Sequence, residues 1–147
     1  MVKKYSLKPF EYWHMSALEH TDAVDGFNAK CLDIQSSKAL ELLDSWSLID
    51  EAGDIIGCAG TIPQWEGRCI AWVYLTQRSG KCMLRITRLV KKYLESVIGR
   101  IEMTVRADFK PGHKWARLLG FYIENPPGLL KGYGPQGEDH IAYVRIQ

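Results

Sequence analysis

The sequence predicts one α/β domain, and three features carry that expectation. The apolar run CIAWVYLT, which ends at Thr76, gives way at QRSGKC to a stretch with helical periodicity. A second strand-like run, IEMTV, follows Gly99 and completes a strand–helix–strand unit at the centre of the chain. Around that centre, short apolar runs and helix-compatible segments alternate without repeats, low-complexity tracts or a linker rich in Pro, Gly or Ser, so the 147 residues read as a single domain.

The elements follow in order. Lys3 to Leu7 reads as a short strand, and Pro9 to His20 and Ser36 to Asp44 as helices. The second of these helices carries Ala39, Leu40, Leu42 and Leu43 and ends near Trp46. Ser47 to Asp50 and Asp54 to Ile62 flank the turn-rich Glu51-Ala52-Gly53-Asp54 and read as a hairpin. Arg68 to Thr76 is apolar along most of its length, as suits a central strand covered on both faces. Cys82, Ile86, Leu89, Val90, Tyr93, Leu94, Val97 and Ile98 then step at three and four, which predicts a helix over 80–98 closed by Gly99. After the strand Ile101 to Val105, GHKWARLLGF reads as a short helix that sends Leu118, Leu119 and Phe121 to the core and stops at Gly120. A strand near Tyr122 to Glu124, a loop with three prolines and a final strand HIAYVRI give the order β-α-α-β-β-β-α-β-α-β-β.

Composition narrows the classes of function. Hydrophobic residues at 46% and charged residues at 24% are ordinary for a globular protein, and a net charge of +2 is too small to argue for nucleic acid. The cations are nevertheless unevenly placed. Arg78, Lys81, Arg85, Arg88, Lys91, Lys92 and Arg100 face a lone Glu95, which describes either a solvated helix face or a surface that meets an anion. Cys31, Cys58, Cys69 and Cys82 form no CxxC pair and no spacing with histidine that suits zinc, so buried free thiols are expected and a metal is not. No run approaches the roughly 20 apolar residues of a membrane span, and the N-terminus lacks the apolar centre of a signal peptide; a cytoplasmic protein is expected. Most of Trp13, Trp46, Trp65, Trp72 and Trp115 are expected in the core, while Trp65, in the turn PQWEGR, is either packed or exposed at a substrate mouth.

The QRSGKC junction asks for a chemical reason. The first amides of a helix have no intrahelical acceptor and carry partial positive charge, which is why phosphates settle there. Gly80 lets a ligand approach the backbone, Ser79 can cap the helix or donate to an oxygen, Arg78 and Lys81 add charge, and Cys82 keeps the first turn tight. There is no P-loop and no GxGxxG fingerprint, so the guest suggested by these residues is a pyrophosphate held at a strand-to-helix junction.

Gln77-Arg78-Ser79-Gly80-Lys81-Cys82 resembles the Q/R-x-x-G-x-G/A motif of the GCN5-related N-acetyltransferase (GNAT) superfamily, with Cys82 standing where the family has Gly or Ala. TVRADFKPGHKWARLLGF resembles the strand, loop and helix that end in the family's frequent LGF, and the likeness spans roughly residues 45 to 124. The resemblance implies a mixed, mostly antiparallel sheet of six to seven strands with splayed central strands and about four helices. It implies acetyl-CoA as acyl donor, held by Leu75, Thr76, Gln77, Arg78, Ser79, Gly80, Lys81 and Cys82, an amine as acceptor, and a homodimer as the common assembly. R/Q-x-S-G-K followed by a basic helix, and the ending GYGPQGEDHIAYVRI, resemble GNAT-like proteins of tailed bacteriophages; this narrower likeness implies a host-cytoplasm or virion location and virion or assembly partners.

Acetyl transfer also needs an acid and a base, and here the sequence departs from the family's pattern. CIAWVYLT carries no carboxylate, and WARLL replaces the family's tyrosine-bearing LYEKL. The remaining candidates each have a plainer alternative. Glu102 is a base acting through water or an exposed partner of a lysine. His113 is a proton carrier near neutrality or a capping or surface histidine. Tyr133 is a late-loop general acid or a packing residue. Asp108 orients His113 or caps the turn at Pro111. His14, His20 and His140 read as surface residues. Two functions are therefore open, an acyl-CoA-dependent N-acyltransferase and a GNAT-fold phage component without catalysis.

Overall fold

The computed structural model describes residues 4–19 and 33–147. They build a seven-stranded sheet in the order β1-β2-β3-β4-β5-β7-β6, with four α-helices among the described residues. The elements are β1 (Tyr5–Pro9), α1 (Tyr12–Glu19), α2 (Ile34–Glu41), β2 (Ser45–Asp50), β3 (Ile55–Trp65), β4 (Arg68–Leu75), a 3-10 segment (Gln77–Cys82), α3 (Met83–Glu95), β5 (Arg100–Arg106), α4 (Lys110–Leu118), β6 (Leu129–Leu130) and β7 (His140–Ile146). Fold class and element order agree with the expectation. His20 and Cys31 lie outside the described residues, as does Lys3, the expected start of β1.

The chain divides into two compact units, Met1–Ile62 with Ala71–Met83 and Pro63–Ile70 with Leu84–Gln147. In the first, β1 and β2 pair antiparallel from Tyr5↔Asp50 to Pro9↔Trp46, with Pro9 at the end of an edge strand where a missing N–H is tolerated. The β2–β3 turn closes on the Asp50 carboxylate, which accepts from the amides of Ala52 and Asp54, both at 2.9 Å. Asp33 caps α2 by accepting from Ser36 N at 2.7 Å. Phe10, Met15, Leu18, Leu40, Ile49 and Ile55 pack as one buried cluster, with Trp72 and Tyr74 of β4 against it.

In the second unit, β5 and β7 pair antiparallel along seven residues, from Arg100↔Ile146 to Arg106↔His140. Ile101, Val105 and Tyr143 alternate inward and are buried. Helix α4 lies close on β5 because Gly112 has no side chain: a Cβ there would stand 2.7 Å from Val105 Cγ1. The indole of Trp115 donates to Thr87 Oγ1 at 2.9 Å and ties α4 to α3. Leu119 and Phe121 enter the core as expected, with Gly120 at φ 89° ending the helix. Leu118 does not, being 59% exposed. The parallel ladder between β4 and β5 has three rungs, Arg68↔Arg100, Cys69↔Ile101 and Ile70↔Glu102. It stops well short of the end of either strand.

Several expectations are corrected. The helix expected over 80–98 begins as a 3-10 segment at Gln77 and ends at Glu95, so Ile98 is left 73% exposed beyond it. The strand expected near Tyr122 to Glu124 reduces to one bridge, Tyr122↔Val144, and the pairing occurs instead at Leu129–Leu130. Trp13 and Trp46 are exposed rather than in the core, and of the two alternatives for Trp65 it is exposure that the structure shows. Cys58, Cys69 and Cys82 are buried thiols outside any disulfide, as expected.

Candidate active site

The QRSGKC junction sits where β4 ends. Thr76 is extended (φ −89°, ψ 165°), fully buried, and its hydroxyl donates to Ile56 O at 2.9 Å while its amide donates to the same carbonyl at 3.0 Å. This double tie to β3 fixes the point from which Gln77–Cys82 winds up. Thr76 occupies the N-cap position without a side-chain capping bond; Ser79 is buried, and its amide donates to Thr76 O at 3.0 Å. The expected capping role of Ser79 therefore passes to the Thr76 carbonyl. Arg78 forms an ion pair with Asp54 of the β2–β3 turn, half of each side chain lying in solvent, so its guanidinium is engaged away from the backbone of the junction. Lys81 is exposed, and nothing lies within 4 Å of where a Cβ on Gly80 would stand. The junction thus has an open front at Gly80, a cation at Lys81, and the partial positive charge of a helical start continuing into α3.

A second feature lies within the other unit. A cleft of ≈ 570 Å³ opens over β5 and β7, with Arg68 and Ile70 of β4 at one side and the segment from Glu124 to Leu130 at the other. Glu102, Thr104 and Tyr133 also line it. Period-2 alternation on β5 puts Arg100, Glu102 and Thr104 on one face, and the parallel register brings Arg68 and Ile70 alongside them. Four of these side chains form a continuous ionic chain. Arg68 donates to Glu102 Oε2 through Nε (2.9 Å) and an Nη (2.5 Å). Arg100 donates through Nε to Glu102 Oε1 at 2.6 Å. Its two Nη atoms then donate to the two oxygens of Glu124, at 3.0 and 2.5 Å. Arg68 foremost, with Arg100, holds the Glu102 carboxyl below its usual range, and Arg100 does the same for Glu124. Arg68 also lies over the exposed ring of Trp65, 4.5 Å from its centroid.

The candidates of the sequence divide accordingly. Glu102 and Tyr133 line the same cleft. Glu102 has arginines rather than a lysine as partners, with both oxygens taken, and Tyr133 is 58% exposed with its ring 5.2 Å from that of His140. His113 stands apart from the cleft lining. Its Nε2 is 3.0 Å from Ala107 O and so carries the proton, which leaves Nδ1 to accept from the Tyr143 hydroxyl at 2.8 Å. Both ring nitrogens are engaged, so His113 is neither a surface residue nor a free base. Asp108 pairs with Arg106 at 2.6 Å and not with His113.

Two histidines expected at the surface are inside. His14 is 1% exposed. Glu11 N donates to its Nδ1 at 3.1 Å, so the Ser47 hydroxyl, 2.8 Å away, donates there as well. That spends the Ser47 proton and makes the Cys58 thiol the donor in the 3.1 Å contact with Ser47. Burial lowers the pKa of His14 and pushes that of Cys58 up to about 12. His140 is part-buried, with Nδ1 3.1 Å from Thr104 Oγ1. The sequence reading missed Arg68 and Arg100 as the partners of Glu102. Alternation along β5 could have found Arg100, whereas Arg68 becomes a neighbour only through the parallel register.

No protein-family model matches the sequence, and no curated protein matches it. Solved structures do match. An acetyltransferase of the GNAT family from Streptococcus pneumoniae is 13% identical at a TM-score of 0.68, covering 98% of this chain and 100% of that one. The ribosomal-protein-S18-alanine N-acetyltransferase from Escherichia coli is 18% identical at 0.66, covering 96% and 92%. A GCN5-related N-acetyltransferase from Kribbella flavida is 12% identical at 0.63, covering 97% and 98%. With identities this low the likeness is one of architecture, and it extends over nearly the whole chain: the protein has the GCN5-related N-acetyltransferase fold.

Proposed function

We propose that the protein is an acyl-CoA-dependent N-acyltransferase that moves an acetyl group from acetyl-CoA to a primary amine of a small molecule or a protein. The observation that supports this most is the open front of Gly80 at a helical start with a cation beside it, in the fold whose solved examples include N-acetyltransferases. In this reading Leu75 and Thr76 present main-chain groups to the pantetheine arm, and the junction Gln77 to Cys82 holds the pyrophosphate through backbone amides and Lys81. The amine nitrogen attacks the thioester carbonyl, forming the C–N bond and a tetrahedral oxyanion. Collapse breaks the C–S bond, the thiolate takes up a proton and the amide nitrogen sheds one. Tyr133 is the phenol assigned to proton donation. Glu102, pinned by two guanidinium groups, is a weak base and keeps Arg68 and Arg100 in place. His113 acts at a remove, by holding the Tyr143 hydroxyl.

The test is thermal. Millimolar acetyl-CoA raises the Tm of the wild-type chain, and Gly80→Glu abolishes that rise by setting bulk and negative charge at the pyrophosphate. Because a side chain at Gly80 meets open space, the variant keeps the Tm of the unliganded protein. No shift in the wild type at that concentration would remove the enzyme reading.

The second reading is a GNAT-fold component of a phage virion or its assembly, without catalysis. It is favoured by Ala116, fully buried at the position of the family's tyrosine, and by the tying-up of Glu102. Co-purification with virions, with no bound CoA and no transfer to a panel of amines, would select it.

A further inference from the structure

The charges of the cleft cancel among themselves. Of its ionic side chains, Arg68 and Arg100 stand against Glu102 and Glu124, and all four carboxylate oxygens are already accepting from guanidinium groups at 2.5 to 3.0 Å. Fork-shaped guanidinium contacts of this kind are stronger and better oriented than those of an ammonium. An incoming cation would have to displace an arginine that stays charged at any pH of interest. Between the ionic chain and the rim, the walls are apolar: Ile70, Pro127, Leu129, Leu130, Ala142 and Val144. The uncharged polar residues of the lining are Thr104, Asn125, Tyr133 and Tyr143, the last with its hydroxyl bound to His113 and so turned away from the cleft. Such a cleft offers an ammonium no free carboxylate to offset its desolvation, which favours the neutral amine.

We propose that this cleft binds a primary amine with an apolar or aromatic body, taken as the neutral free base, and rejects polyamines. The substrate class rests on the acyltransferase reading, but the binding it describes does not. The neutral nitrogen keeps its lone pair, so the cleft supplies by desolvation the free base that Glu102 cannot supply by proton abstraction. Arg68 and Arg100 thereby determine specificity by occupying the carboxylates. The trigger for binding is the titration of the amine itself. The charged or titratable groups facing it are Arg68 from β4, Arg100 and Glu102 from β5, and Glu124 and Tyr133 from the loops.

The experiment measures equilibrium binding of benzylamine and spermidine to the full chain, with and without CoA, by calorimetry and by amide shifts of Thr104, Leu129 and Ala142. Benzylamine moves those amides, and its affinity rises about tenfold per pH unit between pH 7 and 9, tracking its neutral fraction; spermidine does not bind detectably. Arg68→Met, which releases Glu102 Oε2, makes spermidine bind and flattens the pH dependence for benzylamine. Glu124→Gln, which leaves Glu102 fully paired, does not make spermidine bind. Spermidine binding to the wild type as tightly as benzylamine, benzylamine affinity flat or falling with pH, or unmoved cleft amides would each overturn the proposal. Failure of acetyl-CoA to bind would instead remove the acyltransferase reading and leave the amine measurement standing.

Discussion

His14 shows how one side chain can carry an acid-sensitive part of the stability. Its Nδ1 receives two donors, Glu11 N and Ser47 Oγ, so a proton added there costs the Glu11 amide its acceptor and reverses the Ser47 contact. Burial, the leading cause, puts the folded pKa below the ordinary value of 6.5. The unfolded chain therefore binds the proton more readily. The stabilising contribution is complete above about pH 6.5 and is lost as pH falls from there towards the folded value. His14→Phe, which leaves the Ser47 hydroxyl and the Glu11 amide without their acceptor, should cost about 1–3 kcal/mol at pH 7.5. The gap to wild type should narrow by pH 5, as read from urea midpoints at each pH; a gap independent of pH would show that His14 does not titrate across folding. None of this was legible from His14 alone, because its partner Ser47, and Cys58 which Ser47 meets in turn, lie on two strands far along the chain. Glu102 was half legible: it read as a strand residue that is either a base or the partner of a lysine, and its partners are two arginines, of which Arg68 is brought in only by the parallel register.

At the scale of elements, the parts read best from sequence were those with a local cause. The apolar run of β4, the heptad-like spacing of α3 and the LGF stop of α4 each express their own pattern. By contrast, β6 is two residues long and exists because His140 and Ile141 offer it an edge. The α3 terminus was overrun because Val97 and Ile98 continued the apolar spacing after the helix had ended. The turn that returns the chain to β5 depends on Gly99, at φ 106°. A Cβ there would stand 2.4 Å from Gly67 O, which accepts from Arg100 N at 2.8 Å. Gly53, at φ 88°, has open space around it. Gly53→Ala should therefore cost about 1–2 kcal/mol from backbone strain alone. Gly99→Ala should cost at least twice as much, since the β3–β4 turn must move as well. Chemical denaturation of the two variants makes the comparison, and equal costs would mean that the contact with Gly67 is readily relieved.

Across the whole molecule the charge is polarised to a degree that the net value hides. Residues 81–95 and 110–118 carry eight cations against Glu95, and all eight are exposed, while the full chain is nearly balanced at nineteen against seventeen. Helices α3 and α4 are tied to each other, and all of these cations except Lys81 share one unit. A field of this shape acts on charged surfaces more strongly than the net charge suggests. At pH 8.3, near the isoelectric point, the protein should still be retained on a cation exchanger. Replacing Lys91 and Lys92 together by Gln should lower the eluting salt more than replacing Lys4 and Lys8 together; equal effects would mean that the resin senses only the total. The same unevenness extends to the indoles. Trp65 is 64% exposed and rests against Arg68, which borders the cleft, whereas the Nε1 of Trp72 is buried. The two therefore differ in polarity and in access to a dissolved quencher, so ultraviolet emission from Trp65 provides a built-in optical gauge of any event that displaces the guanidinium beneath it.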